Sequence, residues 1–144
     1  MRNRPCSQIH FVVEWGGASP IQATEVSGLD IEYDVFTYRS GVSKDYGDQM
    51  SPGRVRYPNI RIKRNIIRGH NEFYEWINTI QLDAVERRNV TIALLDEEHE
   101  PFMVWKVRDA FPVRLIGPVL DATGAGPATE TLELCHEGLV VETT

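Results

Sequence analysis

Ile9, Phe11, Val13 and Trp15 alternate with Gln8, His10, Val12 and Glu14, the period of a strand with one buried face. Gly16-Gly17-Ala18-Ser19-Pro20 follows as a turn, and a second extended stretch runs from Ile21 to Val26. Ser27-Gly28 interrupts it, and Ile31, Tyr33, Val35 and Thr37 resume the alternation. Val55 and Tyr57 share one parity and Ile60 and Ile62 the other. That change of phase at Pro58-Asn59 predicts a bulge or bend, because one extra residue turns every later side chain to the opposite face.

The one helical period runs from His70 to Gln81. Phe73, Trp76, Ile77 and Ile80 fall at i, i+3, i+4 and i+7 and form a single apolar stripe, expected to pack as the helix's contribution to the core. Asn71 is placed as the N-cap, and Glu72 sits near the positive end of the dipole. Strands resume with Val90, Ile92 and Leu94 on one face and Thr91 and Ala93 on the other. Asp96-Glu97-Glu98-His99-Glu100-Pro101 is a solvated turn, and Met103, Trp105 and Val107 mark the next strand. A separate strand with Val113, Leu115 and Val119 is expected after Phe111-Pro112. A Gly- and Ala-rich loop follows from Asp121 to Pro127, then final strands from Thr129 to Cys135 and from Leu139 to Glu142. The pattern predicts a mainly β fold, an antiparallel barrel or sandwich with one flanking α-helix, in one domain over 1–144. The longest irregular stretch, Ser40 to Gly53, has the length of a functional or disordered loop.

Composition narrows the function classes. A net charge of -6 opposes non-specific binding to nucleic acid, which depends on neutralising phosphates. No window reaches the roughly 18 consecutive apolar residues of a membrane span. The basic start, Met1-Arg2-Asn3-Arg4, is not followed by the apolar core of a secretory signal, so folding and assembly in the cytoplasm are expected. Cys6 and Cys135 are read as reduced thiols.

The candidate chemistry is sparse. Cys6 with His10, and Cys135 with His136, lack the paired spacing of structural zinc ligands, and adjacent strand residues point to opposite faces. The chain contains no Gly-x-Ser-x-Gly elbow, no phosphate-binding loop and no Gly-x-Gly-x-x-Gly. Neither an enzyme nor a cofactor or metal protein is indicated. Arg54, Arg56, Arg61, Lys63, Arg64 and Arg68 form a basic cluster, read as a solvated strand face or one that meets acidic residues of a neighbouring chain. The acidic turn from Asp96 to Glu100 is its candidate partner, since opposite charges on different edges suit head-to-tail association.

Six motifs in order carry a resemblance. They are Val26-Ser27-Gly28-Leu29-Asp30 leading into Ile31-Glu32-Tyr33; Pro52-Gly53 ahead of Tyr57 to Arg64; and the helix Asn71-Glu72-Phe73-Tyr74-Glu75-Trp76-Ile77. Arg87-Arg88-Asn89-Val90-Thr91-Ile92, Trp105-Lys106-Val107 with Ala110-Phe111-Pro112, and Glu133-Leu134 through His136-Glu137-Gly138 complete the set. Together they resemble the tail tube protein family of contractile-tailed phages and extracellular contractile injection systems, over residues 8 to 142. The chain departs from the family pattern at the extra Ser51 and at Asn65.

The resemblance implies a β-barrel flanked by a helix, assembled with copies of itself into hexameric rings. The rings would stack into a hollow tube inside a contractile sheath, with baseplate and terminator or cap proteins as further partners. A cargo effector or DNA would pass through the lumen, and no catalysis, cofactor or membrane insertion by the lone subunit is implied. Ring closure would pair the exposed sheet edges, with the polar parity of Arg87 to Leu95 turned to the lumen. Ser40, Gly41, Lys44, Asp45, Tyr46, Met50, Pro52, Gly53, Arg54 and Arg56 are the expected arm, and Glu97 and Glu98 an expected partner surface. Two alternatives stay open: a tube-initiating paralogue at the baseplate, and a monomeric ligand-binding barrel.

Overall fold

The computed structural model describes residues 10–16, 19–39, 49–82 and 85–143. Two antiparallel half-sheets share one long strand. The first half-sheet orders β1 (Phe11–Glu14), β6 (Arg88–Leu95), the first part of β7 (Pro101–Ile116) and β9 (Gly138–Thr143). The second orders the rest of β7, β8 (Thr129–Cys135), β5 (Ile60–Asn65) and β2 (Glu25–Ser27). The remaining strands, β3 (Glu32–Tyr38) and β4 (Gln49–Arg56), pair only with each other. Helix α1 (Glu72–Asn78) lies between β5 and β6 in the chain.

β7 is a single strand of 16 residues, where the pattern predicts two separated at Phe111-Pro112. Residues 103–107 pair with both β6 and β9, and residues 111–116 pair with β8. The strand turns the corner through Asp109, held at φ +52, whose amide donates to Asn89 Oδ1 at 3.1 Å. A register shift between Pro112 and Arg114 places the proline at an irregularity, where a missing N–H costs the ladder least. A strand that switches sheets makes a sandwich, and the strand path has two ends at β1 and β2 instead of closing as a barrel.

The core fills the space between the half-sheets. Ile60 faces Leu134 and Ile62 faces Leu132 across β5 and β8, and all four are wholly buried. Val13, Val90, Ile92, Val107 and Leu139 supply the opposing face. The same parity of β5 carries Arg64, which is 5% exposed, so the basic cluster does not keep its six members on one solvated face. Arg64 Nε donates to Glu130 Oε1, its cross-strand partner, at 2.8 Å, and the guanidinium stacks 4.0 Å from the Phe73 ring. A charge at a core position is tolerated because carboxylate and ring both meet it.

Helix α1 is shorter than its pattern. Phe73 and Trp76 are buried and Ile77 is half-buried, but Ile80 lies beyond the helix and is 42% exposed. From Thr79 onward each amide bonds three residues back, Thr79 to Trp76 and Ile80 to Ile77, which rotates the i+7 position off the stripe. Asn71 makes no side-chain cap bond. The helix is fastened by aromatic contacts instead: Trp15 meets Phe73 and Trp76 edge to face at 6.0 and 5.5 Å. Arg88 lies over both tryptophans at 4.9 and 4.8 Å.

Candidate assembly surface

The largest departure from the sequence pattern is β3. Its alternation predicts one buried face, yet every residue from Glu32 to Tyr38 is exposed. Tyr33, Val35, Phe36 and Tyr38 project from β3 and Met50 from β4, the last 74% exposed. Residues 49–53, expected inside the long loop, belong to β4, so Met50, Pro52, Gly53, Arg54 and Arg56 stand on a strand of the arm. Ser40, Gly41, Lys44, Asp45 and Tyr46 lie outside the described residues. A two-stranded hairpin is marginal in water without a further layer, so the pattern on β3 calls for a cover that its own sheets do not supply.

The arm continues the ladder of β2 and β5. Ser27 pairs with Arg61, and five residues on, Glu32 pairs with Arg56. Between these pairs the ribbon leaves the sandwich through a joint, residues 28–31 against 57–60. Gly28 sits there at φ +84, and the Asn59 carbonyl fills the space a Cβ would take. On the other side, the Tyr57 ring packs against His136 with centroids 5.4 Å apart. The phase change at Pro58-Asn59 is thus the boundary between two sheets. Within the arm, Arg56 binds Asp34 at 2.9 Å and Glu32 at 3.7 Å. A bulge at Asp34 lets Gly53 lie beneath that residue's carbonyl.

The acidic turn stands at the other end of the first half-sheet. Tyr57 shares a recess of about 400 Å³ with Arg108, Gly138 and Leu139, at the start of β6. Asp96 to Glu100 follows the end of β6, roughly 25 Å away at the rise of a strand. Asp96 Oδ1 accepts the amides of Glu98 and Glu100 at 2.8 and 2.9 Å, which leaves Glu97 and Glu98 exposed with carboxylates directed at solvent. His99, at φ +63, completes the turn and stacks on His10 at 4.8 Å.

Arg61 of the basic cluster is compensated across the strand. Arg61 binds Glu133 at 2.8 Å, and Asn59 donates to the same carboxylate at 2.9 Å. The Asn59 hydrogen bond, and after it Arg61, hold the Glu133 carboxyl below its ordinary value against the opposing effect of burial. For Glu72, burial pulls upward, but His70, its own amide and Arg64 together lower it. Among the described residues no group of three or more His, Cys, Asp or Glu side chains converges on a metal position. Among the same residues, no helix is long and apolar enough to cross a membrane.

A family profile described as the T4-like virus tail tube protein gp19 matches residues 7–140. Among solved structures, the chain is similar to one from the PVC sheath-tube complex of an extracellular contractile injection system. The two are 34% identical over 99% of this chain and 94% of that one, with a TM-score of 0.89. A chain from the anti-feeding prophage cap, described as a tube terminating cap, is 33% identical over 100% of this chain and 95% of that one, also at 0.89. Hcp1 from Flavobacterium johnsoniae shares the fold at a TM-score of 0.60, with 17% identity over 93% and 95% of the two chains. No curated protein sequence matches.

Proposed function

Since this chain belongs to the tail tube protein family, we propose that it builds the inner tube of a contractile particle as stacked hexameric rings around a lumen. The observation that carries this reading is the arm: a strand with core-like alternation, Tyr33, Val35 and Thr37, that stays exposed among the described residues. A second copy supplies the missing cover. The open strand ends at β1, β2 and β9 offer the backbone groups through which neighbours in a ring pair.

Stacking follows from polarity. Arg54 and Arg56 stand at the arm end and Glu97 and Glu98 at the other, so a head-to-tail contact brings opposite charges together. The arm's apolar side chains then provide the area, and the charges set direction. Ser40, Gly41, Lys44, Asp45 and Tyr46, which lie between β3 and β4 in the sequence, are proposed to contribute to the same contact. The role is structural, without catalysis or cofactor. Sheath, baseplate and a terminating cap are the partners, by likeness to chains from such assemblies. A cargo effector or DNA occupies the lumen, and assembly takes place in the cytoplasm before the particle acts. A tube-initiating paralogue would share every feature named here except indefinite stacking.

Sedimentation at two concentrations tests this. Rings and short tubes that grow with concentration support it, and a monomer throughout the range overturns it.

A further inference from the structure

We propose that His136 is a pH-sensitive latch for the joint between the arm and the sandwich. The proposal rests on the arm being a distinct element, but not on its role in assembly. His136 occupies the turn between β8 and β9 and is 6% exposed. Its ring meets that of Tyr57, the first residue after β4, at a tilt of 47° with centroids 5.4 Å apart, so the imidazole lies between the arm's root and the body. Nδ1 hydrogen-bonds the Gly138 carbonyl at 3.1 Å and is therefore the protonated nitrogen of the neutral ring. Nε2 is buried without a hydrogen-bond partner.

The surroundings favour the uncharged ring. Glu137, next in the turn, is directed to Arg87 at 3.6 Å, and its carbonyl accepts from Arg108 on β7 at 3.0 Å. Glu133, further back on β8, is held by Arg61 and Asn59. Cys135 precedes the ring in the chain, and the Tyr57 ring meets it at a tilt. None of the described carboxylates pairs with the imidazole. Burial lowers its pKa, and the carbonyls of Gly138 and Pro58 offset only part of that. A second proton would make the ring a buried cation that no described carboxylate pairs, met only by the Gly138 and Pro58 carbonyls.

The sign follows from linkage. An opened joint exposes an ordinary imidazole, with a value near 6.5, while the closed joint holds a lower one. Closure is therefore fully favoured above the open-state value and weakens as pH falls below it, toward the closed-state value. Acid loosens the arm before it unfolds the sandwich. The three residues of His136-Glu137-Gly138 then act on two sides of the turn. His136 grips the arm's root, while Glu137 and Gly138 close on Arg108.

Amide exchange by mass spectrometry on the full chain, at pH 7.5 and pH 5.0 with intrinsic rates corrected, tests the latch. Peptides spanning β4 and residues 57–60 should lose protection by about tenfold for each unit between open and closed values, while β8 holds. The variant His136→Asn keeps an N–H for Gly138 and cannot titrate in this range, so its difference between the two pH values should vanish. Equal loss in variant and parent, uniform loss along the chain, or no loss overturns the latch. Should the variant not fold, NMR titration of the parent's His136 decides: a value at or above the ordinary one overturns it, and a lower one supports it. An arm that loosens in acid without any change in polymerisation supports the latch while removing the arm's role in assembly.

Discussion

Gly28 and Asn59 meet back to back where the arm leaves the sandwich, the Asn59 carbonyl filling the space that a Cβ on Gly28 would need. At φ +84 a side chain there is also strained. Gly28→Ala is therefore expected to destabilise the fold by about 1–3 kcal/mol, from strain plus displacement of the 57–60 strand. Gly69 provides the control, since it shares a positive φ, +85, but faces open space. Urea unfolding should show a clearly smaller loss for Gly69→Ala.

Buried Arg64 pairs across the strands with half-buried Glu130, and its guanidinium also covers Phe73. Truncating one partner strands the other, so Arg64→Ala should cost about 3–5 kcal/mol. Arg61 with Glu133 has the same 2.8 Å geometry, but Arg61 is half exposed. Arg61→Ala should therefore cost only about 0–1 kcal/mol. Thermal denaturation of the two variants measures the contrast.

Among the described residues the exposed apolar side chains of β3 belong to no part of the buried core, so they should matter for association alone. Replacing Tyr33 and Val35 together by Ser is expected to leave the urea midpoint within the error of the parent. The same variant should lose concentration-dependent assembly in sedimentation. A large drop in stability with assembly intact would reverse the assignment.

Asp96, not Glu97 or Glu98, holds the acidic turn together. Glu97→Lys with Glu98→Lys should therefore fold normally, yet place like charges against Arg54 and Arg56 of the next subunit and weaken stacking. Changing Arg54 to Glu in that background should restore part of it. Light scattering across a salt series reads both effects.

Glu133 carries a lowered carboxyl, so the stability it contributes is present above its unfolded value of 4.5. That contribution is lost as pH falls through the folded one. Glu133→Gln should therefore lower stability at pH 7, change little well below pH 4.5, and so flatten the acid limb of the stability curve.

Much of this was legible in the chain. Alternation locates β1, β6 and β8 to within a few residues, because each has one face on the core, and β9 likewise, although only Gly138 and Leu139 of it are buried. It misplaced Ile80, since a change from four-residue to three-residue bonding leaves no mark in the apolar period. It divided β7 at Pro112, because proline reads as a strand end unless a bulge takes it in. Tyr33 and Val35 were legible as strand and illegible as surface, for a pattern records that a face is covered and not by which chain. Arg64 stands among basic neighbours in the sequence, yet it shares its parity with Ile60 and Ile62 and lies in the interior.

The central claim is that copies of this chain complete one another. Electron microscopy of the purified protein at rising concentration tests it most directly. The account predicts six-fold rings and stacked tubes in which the β3–β4 arm lies on a neighbouring subunit. Single subunits with the arm folded back on their own sheets, at every concentration, would contradict it.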